Sequence, residues 1–217
     1  MNTPQTLTPS GIWTATSWPE YLQIIEQPAY AKAKAYYYRD SMRLEMLPVG
    51  FDHSIDHGLV ALAINLFGMA RGLQLVLADN CSYRKTGVRE CQPDLSCYVG
   101  DRAQQIPKET TIVDLDRYPA PDLAVEIAKT SLLDDLGIKR SLYEEIGVHE
   151  YWVVDVQKAQ VIAYHMQTQG SHRIETSEVL PQLSIALLDE ALKKSRDTDQ
   201  STVGRWLMAQ FQTASKS

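Results

Sequence analysis

The sequence predicts an α/β domain in which a mixed β-sheet is flanked by helices. Short apolar runs bounded by turn residues predict strands both before and after one central helix, an order that packs helices against a sheet. With 217 residues, of which 44% are hydrophobic, the chain can bury one sizeable core. We expect residues 1–16 to be a flexible N-terminus, residues 17–185 to form the domain, and residues 186–217 to be a C-terminal helical extension.

Two helices and a strand are predicted in the N-terminal part. Ser17 and Glu20 have the spacing of a capping box at the start of a short helix. The segment HGLVALAINLFGMARG is apolar on nearly all sides and stops at Gly72, so we expect a buried helix that begins near His57. Between these helices, MRLEMLPVG alternates enough to predict a strand that ends at Pro48.

The rest of the chain alternates between strand and helix signals. The central helix begins at Ser131, which can cap it with Asp134 three positions later. We expect an irregular connection over residues 101–120. The predicted strands cover residues 73–77, 82–90 (a hairpin with its turn at Thr86 and Gly87), 93–99, 123–127, 150–156 and 160–166, and the predicted C-terminal helices cover residues 187–194 and 203–214.

Composition and charge narrow the class of protein. The net charge of −6 disfavours a protein that coats nucleic acid indiscriminately, because such binding relies on clustered Lys and Arg, but it leaves room for a local basic cleft. Cys81, Cys91 and Cys97 are odd in number and lack zinc-site spacing, so we expect reduced, structural cysteines. No secretory signal or membrane-spanning stretch is recognisable, which predicts a cytoplasmic protein without a membrane partner.

Two predicted strands carry carboxylates on what we expect to be a common sheet face. Side chains alternate along a strand, so Asp122 and Glu126 share a face with two small residues, Ala124 and Ala128. Asp94, on the preceding strand, can project onto the same face. Carboxylates held close together repel each other unless a cation or a proton lies between them, and Mg²⁺ or Mn²⁺ prefers such oxygen ligands. The alternative is that these residues are solvent-exposed acids on edge strands.

A lysine interrupts the apolar stripe of the central helix. Leu136, Lys139 and Tyr143 follow the three-four spacing of one helix face, which places the lysine among apolar residues. Because a buried ammonium without a partner is strongly unfavourable, this side chain must reach either water or a carboxylate. Glu126 on the preceding strand is one candidate partner. Asp135, one helical turn earlier, is the other, and it would give an ordinary i,i+4 ion pair.

Several stretches of the sequence resemble a known family. They are PDL with Asp94, PDLAVEIAKTS with Glu126, and DDLGIKRSLYEEIGVHEYWVVDV, which carries a Tyr-x-x-x-Gly-Val-x-Glu-Tyr-Trp signature from Tyr143 to Trp152. Together with MRLEMLPVGFDHSIDHG and DNCSYRKTGVRECQPD, they resemble the Uma-type restriction-endonuclease family, which is rich in cyanobacterial members. That family is similar to the PD-(D/E)xK nuclease superfamily. The resemblance extends from about residue 21 to residue 165.

The resemblance implies a restriction-endonuclease-like mixed sheet and a metal-dependent nuclease site. Asp94 matches the aspartate of the superfamily motif and Glu126 matches the acid of its (D/E)xK half, which implies that both hold Mg²⁺ or Mn²⁺. The lysine of that motif is missing, since Ala128 stands at its position and Lys129 follows one residue later on the other face of the strand. Lys139 can replace it from the helix, which would make Asp94, Glu126 and Lys139 the catalytic residues.

Other residues are weaker candidates for the same site. Asp122 can support Glu126 from the same strand face, and Glu45 can add an N-terminal acid to the metal site. His53 and His57 have an i,i+4 spacing that can bind metal, although a helix start with one capping histidine is the simpler interpretation. His57 can also line the cleft.

A basic hairpin lies close to Asp94 in the sequence. Its residues Arg84, Lys85 and Arg89 can contact phosphates of nucleic acid, or they can be ordinary solvated residues, which is the simpler interpretation. We find neither a Gly-rich phosphate loop nor a nucleophile elbow in the sequence.

Two functions remain open from the sequence. One is a metal-dependent endonuclease that hydrolyses phosphodiester bonds in nucleic acid, with DNA favoured over RNA. The other is a nonenzymatic binding or regulatory module with the nuclease fold, which the net charge of −6 and the displaced lysine favour. Trp206, Leu207 and Phe211 can cover the domain or contact a second copy. We expect a homodimer, because cleavage of both strands of a duplex needs two sites or two visits.

Overall fold

The computed structural model describes residues 10–46, 49–168 and 170–213 of the chain. Within these ranges the chain forms two six-stranded sheets and six α-helices. The strands are β1 (Thr14–Ala15), β2 (Lys34–Tyr38), β3 (Ser41–Glu45), β4 (Leu75–Asp79), β5 (Ser82–Lys85), β6 (Arg89–Cys91), β7 (Leu95–Val99), β8 (Ile112–Asp114), β9 (Leu123–Ala128), β10 (Glu150–Asp155), β11 (Gln160–Gln167) and β12 (Gly170–Arg173). The α-helices are α1 (Trp18–Ile25), α2 (Phe51–Arg71), α3 (Leu132–Leu136), α4 (Ile138–Ile146), α5 (Ile185–Lys194) and α6 (Gln200–Thr213), and short 3₁₀-helices cover Pro28–Tyr30 and Gly100–Gln104.

The first sheet is built around the β2–β3 hairpin. Its strand order is β1-β3-β2-β6-β5-β8, and its pairs are antiparallel except for the parallel β5–β8 pair. The hairpin turns at Arg39 and Asp40, whose φ angles of 48° and 52° are both positive, as a two-residue type I′ turn requires. This tight turn fixes the register of the hairpin and sets Lys34 opposite Glu45.

The second sheet has the strand order β12-β11-β10-β9-β7-β4. Only its β9–β10 pair is parallel, and α3 and α4 form the crossover that a parallel pair needs. In the antiparallel β7–β9 pair, Leu95 lies opposite Val125. The same register continued by one residue sets Asp94 opposite Glu126, so both side chains leave the sheet on one face, as the alternation in the sequence predicts.

The second sheet separates two apolar clusters. Leu123, Val125 and Ile127 of β9 pack with α2, α5 and α6 on one side. Ala124 and Ala128 belong to the other cluster, together with residues of the first sheet and α4. Every residue of β9 is buried, and Asp94 and Asp122 are each 5% exposed, so the alternative of solvent-exposed acids on edge strands is wrong.

The C-terminal helix α6 contributes to the first of these clusters. Leu207 and Phe211 are buried, and the Phe211 ring meets Phe67 of α2 edge-on with the ring centroids 5.2 Å apart. Two of the three apolar residues singled out in this helix therefore cover the domain.

The predicted N-terminal helices are present, with one shifted boundary. Ser17 and Glu20 form the predicted capping box, in which the Ser17 N–H donates to Glu20 Oε2 at 3.1 Å. The long helix α2 starts at Phe51, ahead of the expected His57. It ends as predicted before Gly72, which adopts a left-handed conformation with a φ of 63°.

The central helix is broken, although the sequence predicts a single helix. A Cβ at position 137 would lie 2.8 Å from the carbonyl oxygen of Leu133, so glycine is the residue that fits the break between α3 and α4. The predicted capping contact is also different. The Ser131 hydroxyl donates to Asp135 Oδ2 at 2.6 Å, while the expected acid, Asp134, pairs with Arg43.

Four strands were not predicted from the sequence: β1, β2, β8 and β12. The segment KAYYY of β2 is buried at four of its five positions, so it lacks the alternation that identifies a half-buried strand. β8 falls within residues 101–120, where the expectation of an irregular connection is wrong for Ile112–Asp114. Residues 1–9 of the expected flexible N-terminus and Pro48, the expected end of a strand, lie outside the described residues.

Two further expectations concern the cysteines and the membrane. Cys81, Cys91 and Cys97 are free thiols, as predicted. Within the described ranges, none of the helices is both long enough and apolar enough to span a bilayer.

Candidate active site

A cleft of about 440 Å³ lies where the two sheets approach each other. β2 and β3 contribute from the first sheet, the start of β7 and β9 from the second, and α2 and α4 close the sides. Its ionisable lining residues are Lys34, Arg43, Glu45, His53, Asp94, Glu126, Lys129 and Lys139. All three predicted catalytic residues therefore line one cleft.

Asp94 is held by three donors at the floor of the cleft. Its carboxylate pairs with the ammonium of Lys34, lies 3.5 Å from His53 Nε2, and accepts the backbone N–H of Ile127 at 2.7 Å. The residue is only 5% exposed. Burial alone would raise the pKa of Asp94, but the hydrogen bond from His53 and the charge of Lys34 lower it below its usual range. Asp94 is therefore ionised.

Glu126 has a different environment from Asp94. Tyr143 donates its hydroxyl to Glu126 Oε1 at 2.7 Å, and the Tyr36 hydroxyl lies 3.1 Å from the same oxygen. Tyr36 is also 2.8 Å from the carbonyl of Gln92, which can only accept, so its one proton is directed there. Burial raises the pKa of Glu126 to about 8, with a further rise from the charge of Asp94, although Lys139 opposes the shift. A protonated Glu126 can thus donate to the Tyr36 oxygen.

Lys139 is buried among carboxylates. Its Nζ lies 2.9 Å from Asp135 Oδ1, 2.9 Å from Glu45 Oε1 and 3.6 Å from Glu126 Oε1. It also stands 4.2 Å from the centroid of the Tyr36 ring, a cation–π contact. Both partners left open by the sequence are therefore near the lysine, with Asp135 the closer. Burial would lower the pKa of Lys139, but the surrounding carboxylates raise it, so this side chain is a permanent cation.

Glu45 connects Lys139 to a buried arginine. The Glu45 Oε1 atom accepts from Arg43 Nε at 2.8 Å as well as from Lys139. Arg43 also contacts Asp134 at 3.0 Å and the carbonyl of Gly11. Burial works against ionisation of Glu45, but Lys139 and Arg43 hold its pKa below the usual range. Glu45 therefore lies beside Lys139 in the same cleft, and its role as an added acid of a metal site stays a prediction.

Several contact residues of the cleft were not identified from the sequence. Lys34, Tyr36 and Tyr143 contact the two acids, and Arg43 contacts Glu45. Lys34 and Tyr36 lie on the strand that sequence analysis missed. Lys34, Tyr36 and Tyr38 are alternate residues of this strand and so share a face. That pattern could be used only after the strand itself had been recognised.

The two acids have the donor chemistry of a magnesium site. Mg²⁺ is commonly bound through one or two carboxylates, with the remaining positions taken by water and substrate phosphate. Asp94 and Glu126 provide these two carboxylates on adjacent strands. Across the described residues, no group of three or more His, Cys, Asp or Glu side chains has the arrangement of a metal site. With these two carboxylates as its ligands, an ion would need water and substrate to complete its coordination.

Two accessory candidates lie outside this cleft. His57 pairs with Asp79, with Nε2 3.1 Å from Oδ1, while His53 is the histidine that reaches Asp94. Asp122 accepts from Arg102 at 2.6 Å and from the backbone N–H of Val99 at 2.8 Å. Neither His57 nor Asp122 is among the residues that line the cleft.

The basic hairpin is also absent from the lining of the cleft. Arg84 forms a double contact with Glu90, Lys85 lies 3.9 Å from Asp116, and Arg89 pairs with Glu145 at 2.9 Å. The positive charges of these three residues are therefore largely compensated by carboxylates within the protein.

Lys129 reaches the rim of the cleft from the other side of β9. Its Nζ pairs with Asp52 in the first turn of α2 at 2.7 Å. Lys129 nevertheless lines the same cleft as Glu126, so its direction away from the site stays a prediction.

Comparisons with known proteins agree with this fold. The profile of the Uma2 family, described as "Putative restriction endonuclease", matches residues 18–200. The fold is similar to the crystal structure of "a putative nuclease belonging to DUF820" from Anabaena variabilis, with a TM-score of 0.54 and 20% sequence identity over 81% of this chain and 98% of that one. At that identity the likeness establishes the fold. A comparison with functionally curated proteins finds no match.

Proposed function

This chain belongs to the Uma2 family of restriction-endonuclease-like proteins, and on that premise we propose that it is a metal-dependent endonuclease. Its reaction would be the hydrolysis of phosphodiester bonds in nucleic acid, with DNA as the favoured substrate. Asp94, Glu126 and Lys139 would be the catalytic residues, in a PD-(D/E)xK-type arrangement whose lysine comes from α4.

One observation carries this proposal. Asp94, directly before β7, and Glu126 of β9 line the same cleft, and a buried cation, Lys139, lies 3.6 Å from Glu126. Buried acids are unfavourable without a compensating charge, so a chain that needed only stability would not gain from this set. Perturbed acids gathered in a cleft are typical of functional sites.

Asp94 and Glu126 would hold Mg²⁺ or Mn²⁺. When bound, such an ion would polarise the scissile phosphate and make an attacking water more acidic. The raised pKa of Glu126 suits this role, because the protein leaves that acid without enough positive charge to ionise it fully at neutral pH.

The lysines of the cleft would supply positive charge to the reaction. Lys139 would hold Glu126 in place and offset negative charge that develops on the phosphate, in surroundings where burial strengthens its field. Lys34 contacts Asp94 and faces the same cleft, so it can turn towards a phosphate oxygen when a metal ion takes its place on the acid. Water would attack in line, without a covalent enzyme intermediate.

A nonenzymatic nucleic-acid-binding or regulatory module is the second candidate. The observation in its favour is the Lys34–Asp94 ion pair, because an ammonium already neutralises one of the two acids. In such a protein the buried charges would fix the arrangement of the two sheets. A homodimer remains a prediction for either function; the burial of Leu207 and Phe211 within the chain leaves other surfaces to form it.

A cleavage panel tests the proposal. Supercoiled plasmid, linear duplex, single-stranded DNA and RNA are incubated with the protein and Mg²⁺ or Mn²⁺, and parallel reactions contain a chelator or the Asp94→Asn variant. We expect metal-dependent cleavage of at least one DNA form, lost in both controls. Binding to the same substrates without any cleavage would replace the nuclease with the binding module.

A further inference from the structure

A second cleft borders α4 beside the candidate active site. Its volume of about 440 Å³ is within the range of small-ligand sites. The lining includes two arginines and two aromatic rings but no carboxylate, in a chain whose net charge is −6. We refer to it as the Trp13–Arg140 cleft. Its lining residues include Trp13, Tyr38, Arg39, Ser41, Arg140 and Ser141.

Two polar groups of this cleft have unused capacity to bind. The indole Nε1 of Trp13 is buried and lacks a hydrogen-bond partner, although an indole N–H can act only as a donor. The guanidinium of Arg140 lies 5.0 Å from the centroid of the Tyr164 ring. No carboxylate of the described residues forms an ion pair with Arg140. The Trp13 N–H therefore lacks a hydrogen-bond acceptor, and the Arg140 guanidinium lacks an anionic partner.

Arg39 adds a second guanidinium at the edge of the cleft. It is bound to Glu145 at 2.7 Å and stacks over the Tyr38 ring, with the guanidinium carbon 5.0 Å from the centroid. Its side chain is 74% exposed, so it remains accessible to an anion from solvent. Because Tyr38 itself is buried, the exposed Arg39 guanidinium forms the outer face of this stack, and Trp13 is the ring of the cleft that can stack on a ligand.

β3 and α4 each contribute residues to both the Trp13–Arg140 cleft and the active-site cleft. Ser41, Arg43 and Glu45 are alternate residues of β3 and so point to one face, with Ser41 in the first cleft and the other two in the second. Residues 41 and 45 are about 13 Å apart along an extended strand. On α4, Lys139 lines the active site and its neighbour Arg140 lines the Trp13–Arg140 cleft. A short oligonucleotide could therefore occupy both.

We propose that the Trp13–Arg140 cleft binds an unpaired nucleotide next to the scissile phosphate, so that the substrate is single-stranded where it meets the protein. This inference rests on the proposed nuclease function. Aromatic rings stack on bases of any sequence, and guanidinium groups contact the phosphate beside them. A base carbonyl or a phosphate oxygen supplies the acceptor that the Trp13 N–H lacks. A base inside a duplex is stacked on both faces and cannot enter such a cleft without leaving its helix.

The test measures binding without cleavage. A short single-stranded 5′-phosphorylated oligodeoxynucleotide and the corresponding duplex are titrated into the full chain in a chelator, with fluorescence anisotropy of the DNA and tryptophan fluorescence as readouts. We expect tighter binding of the single strand and quenching that is lost in Trp13→Phe. Arg140→Gln should weaken single-strand binding about tenfold, since one stacking or charged contact has that scale. Arg117→Gln is the matched control, because Arg117 also stands over a tyrosine ring, 5.7 Å from the Tyr118 centroid, but lies outside the cleft.

The possible results separate this inference from the proposed function. The nucleotide-binding proposal is overturned if Arg140→Gln binds the single strand as tightly as the wild type does and the tryptophan fluorescence of Trp13→Phe is still quenched. That conclusion holds even if the protein cleaves DNA. Duplex bound more tightly than the single strand also overturns the nucleotide-binding proposal. If single-strand binding depends on both Trp13 and Arg140 but the protein cleaves no substrate with any metal ion, the nucleotide-binding proposal is supported and the nuclease proposal is contradicted. Circular dichroism of each variant verifies that its fold is intact.

Discussion

The ammonium of Lys34 and the carboxylate of Asp94 form a buried ion pair that joins β2 of the first sheet to the start of β7 in the second. Their side chains are 10% and 7% exposed, so solvent screens the pair only weakly. The pair also places a positive charge on the acid proposed to hold a metal ion. Stability and metal binding should therefore be linked through Lys34.

Lys34→Met should make the protein depend on a divalent cation for stability. Removing one partner of a buried ion pair costs about 3–5 kcal/mol, because the other charge is left uncompensated. Mg²⁺ can then compensate Asp94 in place of the ammonium, so added Mg²⁺ should raise the melting temperature of the variant more than that of the wild type. Thermal unfolding with and without Mg²⁺ measures both effects.

Lys158→Met is the control for the Lys34 substitution. The Lys158 side chain is 73% exposed and lies 3.8 Å from Asp155, so its removal should have little effect on stability in either buffer. An equal response of the Lys34 variant and the wild type to Mg²⁺ would show that the ion does not bind at Asp94.

Lys139→Met should destabilise the fold and lower any cleavage activity. Its ammonium is within 3 Å of Asp135 and Glu45, and its loss should cost about 3–5 kcal/mol in the free energy of unfolding. Cleavage should fall at least about a hundredfold, the usual scale for one charge-stabilising group at a reaction centre. Chemical denaturation and the initial rate of cleavage provide the two measurements.

A double variant separates packing from catalysis at Lys139. Lys139→Met with Asp135→Leu removes both charges of the i,i+4 pair, while Glu45 keeps its contact with Arg43 at 2.8 Å. The free energy of unfolding should largely return to the wild-type value, because a buried ion pair can be replaced by apolar side chains at little cost. Activity should stay low. Recovery of full activity together with stability would give Lys139 a packing role only.

The stability of the metal-free protein should fall as the pH rises from about 4.5 to about 8. Over this range the folded protein keeps a proton on Glu126, whose pKa is about 8, whereas the unfolded chain loses it near the ordinary value of 4.5. The folded state thus binds more protons than the unfolded state, which makes the slope of stability against pH negative. Melting temperatures across this range measure the effect.

Glu126→Gln is the reference for this pH dependence, because an amide does not titrate and the other ionisable groups are unchanged. The variant should lose less stability than the wild type between these pH values. Mg²⁺ should reduce the decline in the wild type, since it favours the ionised carboxylate. Parallel curves for wild type and variant without metal would contradict a raised Glu126 pKa.

The two acids could be predicted from the sequence because strand alternation is a local rule. Glu126 lies at a fixed position in an apolar run, and the spacing around Asp94 puts both on a common face. The charged group at position 139 was detectable for the same reason, since three-four spacing identifies a helix face without reference to the rest of the fold.

Glu126 and Asp135 were identified as candidate partners of Lys139, but the contacts of Lys34 and Glu45 could not be predicted, because they depend on how the two sheets meet. Lys34 reaches Asp94 from a strand 60 positions earlier, and that strand is too uniformly buried to show alternation. Glu45 reaches Lys139 only because the β2–β3 hairpin packs against α4. The sequence identified Asp135 as a local partner, but no local rule could show that it shares Lys139 with two other acids.

The break at Gly137 was missed because glycine inside a helical pattern usually marks only a weak position. We expect Gly137→Ala to lower the melting temperature, since the added Cβ would lie 2.8 Å from a backbone carbonyl oxygen. Gly58→Ala is the matched control in α2. Its Cβ would meet only the flexible end of Gln200 at 3.5 Å, and alanine favours a helix by about 1 kcal/mol, so stability should be kept or raised. A similar loss in both variants would contradict a strict glycine requirement at position 137.

Titration of the metal-free protein with Mn²⁺ tests the central claim most directly, because it needs no knowledge of the substrate. Isothermal titration calorimetry of wild type, Asp94→Asn and Glu126→Gln compares the same binding event with each acid present or replaced by its neutral amide. We predict saturable Mn²⁺ binding to the wild type, accompanied by proton release from Glu126, and at least about tenfold weaker binding to each variant. Unchanged Mn²⁺ affinity in both variants, or no binding to the wild type, would contradict a shared metal site at Asp94 and Glu126.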